Sequence, residues 1–387
     1  MSALVQSSPP SPFALPDPLG EDFTLGVEEE YFLVDAETRA LRDDAEAVLD
    51  RARAPEGTVL GSELKRSQVE SGSAVCRDLS EVRRSIVGLR QALAEAATQV
   101  GARLLASGTH PFARWDDDGG VTPHAAYLQL HETYGLLTTE QAVSGCHVHV
   151  GVRDPELAIA VMNRVRGWIP LLVAMTANSP FWMGHDSRYA SFRTEVFHRW
   201  PTAGIPEHFE DRAAYDRLVE QLHATGSIDA PARLYWDVRP SARYPTLEFR
   251  AADVLMTVDE CVAHAAICRA LVETAHRQAL AEEPLVAPRP ELLRAALWRA
   301  ARFGLSDDLI DVEAMQARPA AGVVASLLEH LRPVLEERGE WEEVNRIVGF
   351  LLREGTGALR QCRAQTEEEG LAAVVDRVCV ATTAATA

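Results

Sequence analysis

Three short stretches place ionisable side chains two residues apart, with apolar residues between them in all but the first, where Glu29 intervenes. They are Gly26 to Tyr31 (GVEEEY), Cys146 to Gly151 (CHVHVG) and Thr246 to Arg250 (TLEFR). Side chains on a strand alternate faces, so Glu28 and Glu30 share one face while Val27, Glu29 and Tyr31 take the other. His147 and His149 separate from Cys146, Val148 and Val150 in the same way, and Glu248 and Arg250 from Leu247 and Phe249. Charges inside apolar strands are costly to bury unless they are paired or hold a metal ion. A sheet face collecting several Glu, one or two His and an Arg therefore predicts a site for divalent cations and an anion.

Each stretch alone also has a plainer reading. Glu28 and Glu30 suit an exposed edge strand, an HxH pair suits two satisfied core histidines, and TLEFR suits a cross-strand ion pair. The coincidence of all three, with Glu70 in KRSQVESGS as a further carboxylate, favours the site. Carboxylate and imidazole donors together suit Mg²⁺ or Mn²⁺ better than the thiolate-rich sites of structural zinc.

The composition, 47% hydrophobic and 25% charged over 387 residues, is that of a globular chain with ample core. Its net charge of −19 repels phosphate backbones, so nucleic-acid binding is not expected, and an anionic substrate would need local Arg or bound cations. Neither a Walker A motif nor GxGxxG is present, so any nucleotide would be held through cations and arginines. Arg188, Arg193, Arg239 and Arg243 lie in the polar segments that could supply them. Six cysteines without CxxC fit a reduced, cytoplasmic protein, and Cys261 and Cys268 read as core residues. Lys65 is the only lysine, which composition bias explains best, though it leaves a single candidate for lysine chemistry. The run Trp168 to Met175 is too short to span a bilayer, and no membrane association is expected.

Along the chain, residues 1–21 read as a Pro-rich disordered tail. Strands are expected over 22–35, 58–72 (one or two), 145–152, 233–239 and 245–250. An amphipathic helix is expected from an N-cap at Ser80, and another from Pro155 to about Asn178 with a bend at Pro170. Residues 114–123 and 180–206 read as loops, the second long enough for a lid or binding loop. A helix is expected over 207–224, and beyond Thr257, capped with Glu260, the chain reads as helical almost to its end. This order points to one α/β or α+β domain over 22–380 with a helical C-terminal third.

GVEEEYFLVD, SGCHVHVGV, MTANSPFWMGHDSRYASFR and RPSARYPTLEFRAAD, in this order, resemble the signature segments of the glutamate-cysteine ligase type 2 family, also called carboxylate-amine ligases. The resemblance implies an α+β, glutamine-synthetase-like fold whose curved, mainly antiparallel sheet is flanked by helices and holds ATP, Mg²⁺ or Mn²⁺ and glutamate. It implies Glu28, Glu30, Glu70, His147 and Glu248 as metal-facing residues, and Arg250, with Glu28, as catalytic, Arg250 meeting the transferred phosphate or the substrate carboxylate. His149, Arg193 and Arg239 are the further candidates for binding nucleotide or substrate. The reaction implied is ATP-dependent joining of the glutamate γ-carboxylate to cysteine or another amine, and a homodimer is the assembly suggested. Two other readings stay open from the residues: a metal-dependent hydrolase using the HVH pair, and a non-catalytic binding protein on the same fold.

Overall fold

The computed structural model describes residues 22–116, 119–285, 287–365 and 370–384. The expected N-terminal tail lies outside them. Its strands, all paired antiparallel, are β1 (Leu25–Asp35), β2 (Val59–Ser62), β3 (Gln68–Gly72), β4 (Ala102–Leu105), β5 (Gly145–Gly151), β6 (Phe181–Trp182), β7 (His185–Asp186), β8 (Val238–Pro240) and β9 (Thr246–Asp253), followed by the small hairpin β10 (Asp308–Asp311) and β11 (Gln316–Pro319). The main sheet runs β2-β3-β1-β5-β9-β8, with β4 also pairing with β1, and β6 with β7 forms a separate hairpin. Between the strands lie α1 (Ala45–Leu49), α2 (Leu79–Gln99), α3 (Ala125–Tyr134), α4 (Leu136–Thr139), α5 (Pro155–Val165), α6 (Ile169–Thr176), α7 (Phe192–Phe197), α8 (Arg212–Ala224) and α9 (Val258–Leu280). Five more helices close the chain: α10 (Pro290–Phe303), α11 (Ala320–Glu337), α12 (Trp341–Glu354), α13 (Gly357–Ala364) and α14 (Gly370–Thr383). The fold class is therefore the expected α+β, a mainly antiparallel sheet flanked by helices.

One face of the sheet is dry. Val27, Cys146, Val148, Val150, Leu247 and Phe249 are buried in one apolar cluster with Val82 and Ile86 of α2 and Cys261, Val262, Ala265 and Cys268 of α9. Burial at about 25 cal/mol per Å² of apolar surface makes this layer the dominant driving force for closing the helices onto the strands. It also fixes register, because a slip of one residue would turn this row outward and drive the Glu and His row into the helices. Cys261 and Cys268 are buried free thiols, as their helical spacing suggested.

Several boundaries differ from the sequence reading, each for a local reason. α2 begins one residue before Ser80, because the side chain of Asp78 accepts from the Glu81 amide and supplies the cap. The Pro155 helix breaks earlier than Pro170: a 3-10 turn spans Arg166–Trp168, and Pro170 occupies the first turn of α6, where its missing N–H costs nothing. α8 starts at Arg212 behind the Asp211 cap, and the expected strand at 233–239 shortens to Val238–Pro240. The 180–206 segment is not irregular throughout, since it folds into the β6–β7 hairpin and α7. Pro155–Thr176 is long and apolar enough to cross a membrane by composition, yet 72% of its window is buried inside the protein, as befits a core element.

Candidate active site

The register of the sheet assembles the polar face. Glu30 pairs with Glu70, Glu28 with His147, His149 with Glu248, and Glu248 with Arg239, so residues remote in sequence form a continuous row across β3, β1, β5, β9 and β8. The β5–β9 pairing shifts between Cys146 and Val148, a bulge that sets the HVH pair against the TLEFR strand. All five expected metal-facing residues are thereby brought together, with Arg250 beside them.

His147 Nδ1 lies 3.2 Å from a Glu28 oxygen, and its Nε2 lies 3.7 Å from Glu30. His149 holds Thr246 Oγ1 at 3.0 Å through Nδ1 and turns Nε2 to within 3.5 Å of Glu28. Both Nε2 atoms are buried and lack a hydrogen-bond partner. Three groups on this face could each hold a cation, with ligand atoms within 4.8 Å of one another: Glu28, Glu70 and His147; Glu28, His149 and Glu248; and Glu30, Glu63 and Glu70. His149, expected among the substrate-binding residues, thus stands with the cation-holding set.

Charge balance describes the same site. Burial pushes the Glu28 carboxyl up, but the charge of His149 and the hydrogen bond from His147 outweigh it and hold Glu28 below the usual range. Glu70 is driven the other way, well above it, by burial and by the charges of Glu28, Glu63 and Glu30. Burial and Glu30 push Glu63 up to about 8. Burial and Arg250 lower His147, whereas Glu28 overcomes the burial of His149 and raises it. Five carboxylates around two imidazoles is an excess of negative charge that bound cations would neutralise.

Glu63 was not singled out in the sequence. Gly61 pairs with Glu70, so alternation carries residue 63 to the same face, and Tyr127 Oη donates to its carboxylate at 3.4 Å. The signal lies in the β2–β3 register, which a lone Glu in a short polar stretch does not reveal. Lys65, the single lysine, is buried with Nζ donating to the Thr139 carbonyl at 2.5 Å.

The arginines divide by role. Glu248 receives Arg239 Nε at 3.0 Å and also Arg250 Nη1, and after burial has raised it these two cations hold it well below the carboxylate range. Arg239 further donates to the carbonyls of Ala232 and Leu234, so its fork is engaged inside the protein and it serves to brace Glu248. Arg193 reaches the Ala251 and Arg250 carbonyls at 3.3 Å, with its guanidinium 5.0 Å from the Phe197 ring centroid. A Cβ on Gly145 would lie 2.3 Å from Arg193 Nη2, so glycine there makes room for this brace. Arg250 keeps a buried Nε without a partner. Arg188 lies outside this group, exposed and paired with Asp186 at 3.3 Å.

Glu29, on the opposite face, is the residue that alternation located but left without a role. It is fully buried, held by Arg90 Nη2 at 2.5 Å and Nε at 3.1 Å, and it accepts from Tyr31 Oη at 2.5 Å. This pair ties β1 to α2 behind the polar face.

The family model described as glutamate-cysteine ligase family 2 matches residues 24–377. A protein of Frankia alni, provisionally named glutamate-cysteine ligase 2-2, is 45% identical over 93% of this chain and 97% of its own length. One of Rhodopirellula baltica, provisionally named glutamate-cysteine ligase 2, is 40% identical over 88% and 92%. Among solved structures, the glutamate-cysteine ligase of Francisella tularensis in complex with AMP superposes with a TM-score of 0.63 at 11% identity, covering 94% of this chain and 90% of that one. That likeness shows a shared fold.

Proposed function

The chain belongs to glutamate-cysteine ligase family 2, and from that premise we propose that it is an ATP-dependent carboxylate-amine ligase, with residues 22–380 as one catalytic unit. The finer reading is that it activates the γ-carboxylate of glutamate as an acyl phosphate for attack by the amino group of cysteine or a related amine. The observation that carries it is the cross-strand row itself, carboxylates in excess with two buried imidazole nitrogens aimed among them and lacking partners. Mg²⁺ or Mn²⁺ held there would neutralise and align the triphosphate.

The protein's own groups divide the remaining work. A carboxylate is a poor acyl donor because oxide is a poor leaving group, and phosphorylation supplies a better one. Glu28, Glu30, Glu63, Glu70, His147, His149 and Glu248 would hold the cations on a rigid sheet, and the dry face behind them keeps their rotamers fixed by packing. Arg250 would meet charge developing on the moving phosphoryl group. Its partner Glu248 already has Arg239 as a counter-charge, so the fold does not depend on Arg250 to neutralise that carboxylate.

ADP release measured with Mg²⁺, glutamate and a panel of amines tests the reading. ATP consumption should require both a carboxylate and an amine. Turnover without ATP would instead favour a metal-dependent hydrolase. Mg²⁺ with ATP should also raise the melting temperature, since a ligand at a hundredfold excess over Kd adds about 2.7 kcal/mol of stability. His147→Ala and Glu248→Gln should each shrink that shift, and its absence with every divalent cation would count against the cation site.

Arg250→Lys is expected to lower kcat by about a hundredfold with little change in KM for ATP, since the charge stays but the planar fork is lost. The pair with Glu248 is buried, so the stability cost exceeds that of an exposed ion pair, though Arg239 limits it. Near-normal kcat with a lowered melting temperature would make Arg250 a structural residue only.

A further inference from the structure

An ammonium ion cannot attack an acyl phosphate until it has lost a proton. The carboxylates and imidazoles of the cation row are poorly suited to that work, because bound cations would occupy them. Another titratable pair stands at the edge of the same face: His198, which caps the C-terminal end of α7, and Asp237, the residue before β8. We propose that His198, oriented by Asp237, accepts the proton of the attacking amine, an assignment that rests on the ligase reading above.

The strand period places the pair. Trp236 and Val238 pack against the dry cluster, so Asp237 and Arg239 turn to the cation side. Asp237 stands opposite Arg250 across the β8–β9 ladder, its carbonyl accepting from the Arg250 amide at 2.8 Å. Arg193 holds α7 over the same strand through the carbonyls of Arg250 and Ala251. The helix that braces β9 near its start thus presents a histidine to β8 at its end.

The two side chains are arranged as a base and the group that orients it. His198 Nε2 lies 2.9 Å from Asp237 Oδ1, while Oδ2 is buried without a hydrogen-bond partner. The carboxylate is 1% exposed and the imidazole 24%, so the anion sits behind and the ring in front, with Nδ1 making no hydrogen bond among the described residues. A buried carboxylate in this place fixes the tautomer of the ring and stabilises the imidazolium that forms. Burial lowers the His198 pKa, but the charge and hydrogen bond of Asp237, joined by Glu195 of the same helix, outweigh burial and Arg193 and raise it. Of the three ammonium protons, one passes to His198 and one stays on the amide nitrogen. The third leaves on hydrogen phosphate as the C–N bond forms and the acyl C–O bond breaks.

Hydroxylamine separates this role from a structural one, because it is largely uncharged at neutral pH and needs no base before it attacks. With glutamate, ATP and Mg²⁺, the unmodified protein should release ADP both with hydroxylamine and with the most active amino acid of the amine panel. His198→Gln, its folding checked by a melting curve, should lower kcat with the amino acid by about a hundredfold and with hydroxylamine by less than about tenfold. Asp237→Asn removes the charge that raises His198, so the acid limb of the amino-acid reaction should move to lower pH. Equal losses with both nucleophiles in folded His198→Gln, or an acid limb that stays in place in Asp237→Asn, would overturn the assignment and leave the ligase reading standing. No ADP release with either nucleophile in the unmodified protein would overturn the ligase reading, and the assignment with it.

Discussion

Glu28→Gln is expected to abolish ATP-dependent turnover, by about a thousandfold or more, in a protein that stays folded. Glu28 belongs to two of the three cation groups, with Glu70 and His147 on one side and His149 and Glu248 on the other. Removing its charge therefore weakens two candidate cation positions at once, whereas any other single carboxylate of the row except Glu70 touches one. Gln preserves the volume, so a loss of activity reports charge and not packing. Steady-state ADP release and a melting curve on the same preparation decide the matter, and activity within tenfold of the unmodified protein would remove Glu28 from the site.

Glu70 sharpens the same argument. Burial and three neighbouring carboxylates raise its carboxyl well above the ordinary range, so at neutral pH its ionised form is penalised in the folded state. Without bound cations, Glu70→Gln should melt at an unchanged or higher temperature while its turnover falls. Function and stability then pull in opposite directions at one residue, as expected where charges are crowded to hold a ligand.

How much of this was legible in the sequence depends on the range of the interaction that decides it. Face alternation is local, which is why Glu28, Glu30, His147, His149, Glu248 and Arg250 could be assigned to one side before any fold was known. Pairing is not local. Nothing in GVEEEY states that Glu30 will face Glu70 and Glu28 will face His147, and the bulge that matches His149 to Glu248 leaves no compositional mark. Glu63 was missed for the same reason. Arg239 looked like a fork available to a phosphate because its place in a polar, arginine-containing segment does not name its partners. Its engagement with Glu248 and two carbonyls depends on the β8–β9 register. Helix starts were misjudged by one to five residues where an Asp cap competed with another reading, as at Asp78 and Asp211.

Glu29→Gln is expected to produce the largest stability loss, about 3–5 kcal/mol, because it removes one partner of a buried ion pair and leaves the Arg90 charge uncompensated. Alternation alone predicts a harmless substitution, since Glu29 points away from the cation face. The structure changes the expected phenotype without changing that face: Arg90 lies 61 positions further on in α2, and it also donates to the carbonyls of Leu255, Met256 and Thr382. Those three bonds keep the guanidinium in place when its carboxylate is neutralised, so the cost cannot be relieved by swinging Arg90 into solvent. The melting temperature should fall by many degrees, while turnover per folded molecule, measured well below the transition, should stay near normal. Replacing both partners by Met should recover much of the loss, because apolar side chains of similar volume remove the stranded charge. An unchanged melting temperature would mean that Arg90 finds its compensation elsewhere; lost turnover in a fully folded variant would mean that Glu29 serves the chemistry, and the strand register set out above would fall with it.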